Sequence, residues 1–221
     1  EDIAGLLFVG LISATENYFR DILGFILSVC PISQSHSADE KIQLGSLLWS
    51  NAELHNRTAF EFMAFSNADN INKTINNFVY YQIKKGGTWE AMLKEYDKLC
   101  EIRHAVVHSG HIVAGKNAVK LGLNRTKKPL RVSISYAKLQ EAGGICTALV
   151  QAANNELFEM MVGRWAEKWR ALPSWSNDNS DRVFSTLYNA FLSNRDKQNK
   201  AISNQQSKNR LMSQIKIDFN L

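Results

Sequence analysis

Apolar residues recur every three or four positions along much of this chain, which is the spacing of helices that bury one face. Over residues 2–29 the recurring apolar residues are Leu6, Leu7, Leu11, Phe19, Leu23, Ile26 and Leu27. A second stripe predicts a helix from Thr88 to about His108, and a third predicts a helix over residues 136–172. With only 3 prolines among 221 residues, little interrupts these stripes. The spacing therefore predicts a mainly α fold, a helical bundle.

The composition excludes several other classes of protein. Hydrophobic residues make up 45% and charged residues 21%, so most of the chain is too apolar to be intrinsically disordered. The three cysteines, Cys30, Cys100 and Cys146, lack paired spacing. We therefore expect them in the core rather than in disulfides, and they favour a reducing compartment such as the cytoplasm. The apolar run over residues 3–14 is too short to cross a bilayer, so no membrane association is expected.

One segment departs from the helical spacing. Residues 119–123 and 130–134 alternate apolar with polar or small side chains, and the stretch over residues 124–129 between them has the composition of a turn. Such alternation is typical of paired strands. We therefore expect a small, basic β-hairpin inserted over residues 111–135, directly after the second helix.

Two further expectations concern local structure and domain organisation. Ser37 and Glu40 form a capping-box pattern, which predicts a helix running toward Ser50. Residues 1–193 are expected to form one helical domain. Residues 194–221 are rich in Asn, Gln and Lys, so we expect a polar, basic C-terminal tail.

The net charge of +5 is unevenly distributed along the chain. Residues 111–140 carry +7 and no acidic residue, residues 182–221 carry +5, and the remainder carries −7. A mildly acidic body with basic segments points to a polyanionic partner, most simply RNA or DNA. The side chains expected to bind nucleic-acid phosphates are Lys116, Lys120, Arg125, Lys127, Lys128 and Arg131.

The second helix ends in a cluster of residues that can carry out chemistry. Its last six residues read Arg103-His104-Ala105-Val106-Val107-His108, an Arg and a His separated by four positions. They resemble the signature of the HEPN superfamily of helical-bundle proteins, which is Arg, a polar residue, three further residues and His late in a helix. The resemblance is specific at these six residues and diffuse over residues 1–172.

The resemblance implies an activity, an assembly and partners. Members are commonly endoribonucleases that need no metal or other cofactor, and two copies of the motif meet across the cleft of a homodimer. Many belong to toxin–antitoxin, antiphage or RNA-processing systems, so the implied partners are an RNA substrate and an antitoxin or defence-system protein. The implied catalytic residues are Arg103 and His108, with His104 in support. A polar side chain from an earlier helix is also expected against the motif, and the candidates are Glu53, Asn56 and Glu61.

The residues themselves are suited to cleaving RNA without a metal. A histidine can act as acid or base near neutral pH, and a guanidinium can hold two phosphate oxygens at once. Attack by the 2′-OH would leave a 2′,3′-cyclic phosphate and a 5′-OH. Arg103 and His108 are five residues apart, so they project about 140° apart on an ideal helix. We therefore expect a second chain to complete the site.

Other interpretations of the same residues stay open at this point. Arg103 and His108 could serve only stability, by opposing the helix dipole or by pairing with Glu101 or Asp97. His104, His108 and His111 could bind zinc, although Gly110 breaks the helical spacing before the third histidine. Trp165, Trp169 and Trp175 could stack on bases, but their spacing is more typical of a core.

The sequence thus predicts a homodimeric, metal-independent endoribonuclease of the HEPN type. The alternative is a non-catalytic HEPN module that binds RNA or a partner protein. A third class is a purely structural dimerisation domain.

Overall fold

A computed structural model describes residues 2–49, 55–193, 198 and 207–221, and these parts of the chain are mainly helical. The predicted fold class, mainly α, is confirmed. The α-helices are α1 (Asp2–Val29), α2 (Pro31–His36), α3 (Leu44–Leu48), α4 (His55–Thr58), α5 (Ala68–Thr74), α6 (Thr88–His108), α7 (Gly115–Lys120), α8 (Tyr136–Gly163), α9 (Ser180–Phe191) and α10 (Lys208–Asp218). A π-helical turn follows α5 at Ile75–Val79 and another follows α8 at Arg164–Lys168. None of the described helices is long and apolar enough to span a membrane.

Helix α1 is one continuous helix, whereas the first apolar stripe alone allows either one long helix or two consecutive ones. Its buried face carries Phe8, Ile12, Phe19, Leu23 and Ile26, separated by three, four or seven positions. After Cys30, Pro31 begins α2, where the missing N–H of proline costs no hydrogen bond. The first two turns differ from the prediction, because Leu6 and Leu7 are exposed rather than buried.

Contacts divide the chain into two compact units, residues 1–29 with 33–153 and residues 30–32 with 154–221. In the first unit α1 packs against α4 and α6, and α5 and α7 pack against α6. Its core includes the stacked rings of Phe19 and Phe65, 5.9 Å apart. The other large buried side chains of this unit include Phe60, Ile71, Ile75, Phe78, Trp89, Leu93, Tyr96 and Leu149.

The second unit has its own aromatic core. Trp165 lies 5.0 Å from Phe184, and both are fully buried, as is Trp169. The Arg170 guanidinium lies over the rings of Trp165 and Trp175, at 4.9 and 5.4 Å. The core interpretation of Trp165 and Trp169 is therefore confirmed, and these two rings are not available for stacking on bases.

The prediction of a basic β-hairpin over residues 111–135 is wrong. Residues 115–120 form α7, and the only bridge among the described residues joins Ile112 to Arg131. The reason lies at Gly122, which has a φ of 65°. Gly122 N donates to Val119 O and Leu123 N donates to Ala118 O, the Schellman pattern that ends a helix. The residues around this glycine, whose alternation predicted a strand, form the end of a helix.

The prediction that a helix begins at the Ser37–Glu40 capping box is also wrong. The Ser37 hydroxyl donates back to Ser33 O at 2.8 Å, so it closes α2 rather than starting a new helix. In the described stretch that follows Ser37, residues 37–49, only Leu44–Leu48 is helical. Ser50 itself lies outside the described residues. Within the predicted C-terminal tail, the described part contains α10, whose Ile215 is buried and whose Lys216 pairs with Asp181 at 3.3 Å.

Candidate functional site

The site begins at the end of α6, which the sequence places correctly at His108. Gly110 and His111 have φ values of 54° and 67°, both in the left-handed region. The backbone N–H groups of Ser109 and His111 both donate to Ala105 O, at 3.2 and 3.0 Å. This turn ends the helix directly after His108 and leaves the imidazole of His108 exposed.

Arg103 and His108 lie closer together than an ideal helix suggests. Arg103 Nη1 is 3.4 Å from His108 Nε2 within the same chain. The expected divergence of 140° is wrong at the level of the side chains, because an arginine is long enough to reach back across one turn. A guanidinium has no acceptor, so Arg103 donates and His108 Nε2 accepts.

His104 lies beside this pair, and His111 does not. The rings of His104 and His108 are 4.9 Å apart, which confirms that they share one face of α6. His111 turns toward α1, where its Nε2 would lie 3.6 Å from a Cβ on Gly5. In the parts of the chain that the structure describes, no three His, Cys, Asp or Glu side chains are placed to hold a metal ion.

A cleft of about 240 Å³ opens next to the motif. Its walls come from α6, from α7 and from the two residues before α5. The lining residues are Ser66, Asn67, Cys100, Glu101, Arg103, His104, Lys116, Asn117 and Lys120. The cleft thus brings two of the predicted catalytic residues, Arg103 and His104, together with two of the predicted RNA-binding residues, Lys116 and Lys120.

Sequence reasoning missed the polar side chains that line this cleft. Asn56 and Glu61 do not line it, and Glu53 lies outside the described residues. The earlier residues at this position are Ser66 and Asn67 instead. Asn67 caps α5 by accepting from Asn70 N at 2.7 Å, and that N-cap pattern before the α5 stripe was the available signal.

The cleft has an excess of positive charge. The Lys120 ammonium pairs with the Glu101 carboxylate, and this bond raises the pKa of Lys120. Lys116 is exposed and enters none of the hydrogen bonds or ion pairs among the described residues. Arg103 Nε is buried, with no hydrogen-bond partner in the described structure. One carboxylate therefore faces three cationic side chains.

The other predicted RNA-binding residues lie outside the cleft. Arg125, Lys127, Lys128 and Arg131 are all exposed, along the irregular segment between α7 and α8. Thr126 Oγ1 donates to Lys128 O at 2.6 Å, which shapes a turn in this segment. The four cations therefore form a surface of their own rather than one wall of the site.

The purely structural interpretation of the motif requires Arg103 or His108 to pair with Glu101 or Asp97, and the structure gives both carboxylates other partners. Glu101 pairs with Lys120, and Asp97 Oδ1 accepts from Ala68 N at 3.0 Å. Neither carboxylate forms an ion pair with Arg103 or His108 among the described residues. The pair at the end of α6 is thus left accessible rather than used to join two elements.

Cys100 also lines the cleft, but its chemistry is different. Burial raises the pKa of its thiol, so the neutral form persists at neutral pH. A neutral buried thiol is a poor nucleophile. All three cysteines are buried and none of them forms a disulfide, which confirms their interpretation as core residues.

No family model, curated protein or solved structure matches this chain.

Proposed function

We propose that this protein is a metal-independent endoribonuclease of the HEPN type, active as a homodimer. The observation that carries the proposal is the contact of 3.4 Å between Arg103 Nη1 and His108 Nε2 at the open end of α6. It joins a group that binds phosphate to a group that transfers protons, next to a positively charged cleft. The match of residues 103–108 to the HEPN signature supports the same activity.

The chemistry follows from what the two side chains can do. The Arg103 guanidinium turns two N–H groups to the oxygens of the scissile phosphate and releases His108 Nε2. The neutral imidazole then takes the 2′-OH proton while the 2′ oxygen bonds to phosphorus. The 5′ oxygen leaves with a proton from a second imidazole, which enters the step in its protonated form, giving a 2′,3′-cyclic phosphate and a 5′-OH. His104 in the same chain or His108 of a second copy supplies that proton.

A second copy is supported by the surface of α1. Ile3, Leu6 and Leu7 are 75%, 73% and 54% exposed, and they form an apolar face on the first two turns. This part of α1 adjoins the motif helix, because a Cβ on Gly5 would lie 3.5 Å from Val106 Cγ1. Contiguous exposed apolar patches are typical of interaction sites. A second chain on this face would bring its own Arg103 and His108 close to the first pair.

The exposed cations of Arg125, Lys127, Lys128 and Arg131 support a nucleic-acid substrate. They also favour a second candidate function, a module that binds RNA without cleaving it, because they lie outside the cleft and do not depend on the motif. A role in toxin–antitoxin or antiphage defence, with an antitoxin or defence protein as partner, belongs to the proposal through the HEPN resemblance. A cytoplasmic location belongs to it as well, supported by three buried cysteines that form no disulfide.

The chemistry is tested with the wild-type protein, a single-stranded RNA and a DNA of the same sequence, all in excess EDTA. We expect cleavage of the RNA alone, with 2′,3′-cyclic phosphate and 5′-OH ends. Cleavage that requires an added divalent metal, or that leaves 3′-OH and 5′-phosphate ends, would contradict the mechanism. Retention of RNA with no cleavage would favour the binding module instead.

A further inference from the structure

We propose that the cleft beside the motif is a nucleotide subsite, which holds the phosphate and base of the nucleotide next to the scissile bond. This inference rests on the proposed function for its substrate, but it adds a binding site in which Lys116, Asn67 and Asn117 take part. The subsite would give the protein a preference for the base at that position. Four observations carry it.

The first observation is the unpartnered nitrogen of Arg103. Its Nε is buried and has no hydrogen-bond partner in the described structure. Buried polar atoms in folded proteins almost always have a partner, so Arg103, which lines the cleft, is a side chain whose hydrogen bonds are incomplete. Because Arg103 also contacts His108 through Nη1, its guanidinium joins the motif to the cleft.

The second observation is the difference between the two lysines of α7. Lys120 is neutralised by Glu101, whereas Lys116, one turn earlier, has no carboxylate partner among the described residues. Helical residues four apart share a face, so both ammonium groups lie on the same wall of the cleft. Lys116 is therefore the cation available to a second phosphate, beyond the one bound by Arg103.

The third observation is the pair of amide side chains that line the cleft together with these cations, Asn67 before α5 and Asn117 on α7. Asn67 uses its Oδ1 to cap α5, which leaves its amide N–H groups as donors. Asn117 is buried and uses its Nδ2 toward Glu101 O at 3.4 Å, which leaves its Oδ1 as an acceptor. A donor and an acceptor together are what the edge of a nucleobase requires.

The fourth observation is the size of the cleft. Its volume of about 240 Å³ is below the range of about 300–1,000 Å³ typical of sites that enclose a whole organic ligand. A space of this size suits one part of a larger substrate that continues into solvent. A single nucleotide of a bound RNA strand has that character, because its backbone continues on both sides.

The test measures binding of a labelled 2′-O-methyl RNA, which lacks the 2′-OH nucleophile and so cannot be cleaved by the proposed route. At position 67 two substitutions are compared, Asn67→Asp and Asn67→Ser. Both residues cap helices well, so α5 is retained in each, but only aspartate adds a negative charge to the cleft. Lys116→Gln removes the free ammonium, and Lys41→Gln is its control, an exposed lysine outside the cleft.

We expect Lys116→Gln and Asn67→Asp each to raise the Kd about tenfold and to lower the salt dependence by about one phosphate contact. Lys41→Gln should stay within about twofold of wild type, whereas Asn67→Ser, which loses the amide donors without adding a charge, should raise the Kd less than Asn67→Asp does. If Lys116→Gln and Asn67→Asp bind as tightly as wild type, the subsite is wrong even where the wild-type protein cleaves RNA.

The failure of the proposed function has a different signature. A wild-type protein that shows this pattern of binding but cleaves no RNA would overturn the nuclease and keep the subsite. A wild-type protein that does not bind the RNA at all would overturn both. Far-UV circular dichroism of each variant shows whether the helical fold is retained.

Discussion

At the scale of single residues, the sequence identified the reactive groups but not their arrangement. The spacing of Arg103 and His108 along α6 was readable, and it suggested that the two side chains diverge. The structure brings Nη1 and Nε2 to 3.4 Å, because the conformation of a long side chain is not determined by its position on a helix. The same limit applies to Glu101, which pairs with Lys120, a residue 19 positions away.

Removing the charge of Glu101 should change the affinity for RNA in the opposite direction to removing the charge of Lys116. The Glu101→Gln substitution removes the only carboxylate among the described residues that line the cleft, while Lys120 stays protonated at neutral pH because its ordinary pKa is about 10.4. The cleft gains one net positive charge, so binding of 2′-O-methyl RNA should tighten about threefold or more at low salt. The measurement is a fluorescence anisotropy titration.

Glu95→Gln is the matched control for Glu101→Gln. It removes one negative charge from the same helix, where Glu95 pairs with Lys98 at 2.8 Å and lies outside the cleft. We expect a smaller gain in affinity from this variant. Equal gains from the two variants would show that net charge, rather than the cleft, governs binding of RNA.

At the scale of elements, long apolar stripes predict helices correctly, whereas short local patterns in the sequence do not reliably predict where an element ends. The stripe after Thr88 predicted α6 to its last residue, because repeated apolar spacing averages over many positions. The segment after α6 is short, and a single glycine decides between a strand and a helix end. The alternation over residues 119–123 predicts that Gly122 lies in a strand. Its φ of 65° shows that it ends α7 instead. The cleft was not predictable, since its walls come from three separate segments.

The role of Gly122 leads to a prediction about stability. Gly122→Ala places a Cβ on a residue with positive φ, so we expect the free energy of unfolding to fall by about 1 kcal/mol. No atom lies within 4 Å of that Cβ, so the loss comes from backbone strain rather than from a clash. Gly115→Ala, at the first position of the same helix, is the control and should leave stability unchanged or slightly raised. Urea unfolding measures both, and equal stabilities would contradict the assigned helix end.

At the scale of the whole molecule, the apolar face on α1 is the feature that the proposed homodimer explains. The sequence predicted that Leu6 and Leu7 would be buried, and in the single chain they are exposed. An apolar stripe in a sequence indicates burial but does not say whether the same chain or a second chain provides the cover. The prediction of a homodimer comes from the motif at the end of α6, and the exposed stripe on α1 is a separate reason to propose a second chain.

A charge on this face should separate the two chains. We expect Leu6→Asp to convert the dimer to a monomer and to reduce cleavage of RNA by more than about tenfold, because a buried unpaired carboxylate is costly. Since Leu6 is exposed in the single chain, the helical fold should persist. Ile217→Asp changes another exposed apolar residue, on α10, and should alter neither property. Sedimentation velocity reports the assembly, and a Leu6→Asp dimer with full activity would place the interface elsewhere.

The central claim is that the imidazole at the end of α6 transfers the protons of RNA cleavage. The most direct test compares the rates at which His108→Ala and His36→Ala cleave a single-stranded RNA in EDTA. His36 is an exposed histidine on α2, stacked on Tyr80 at 4.3 Å and outside the cleft. We predict that His108→Ala keeps its fold and loses activity by about a thousandfold, while His36→Ala cleaves at the wild-type rate. Equal rates for the two variants would contradict the account.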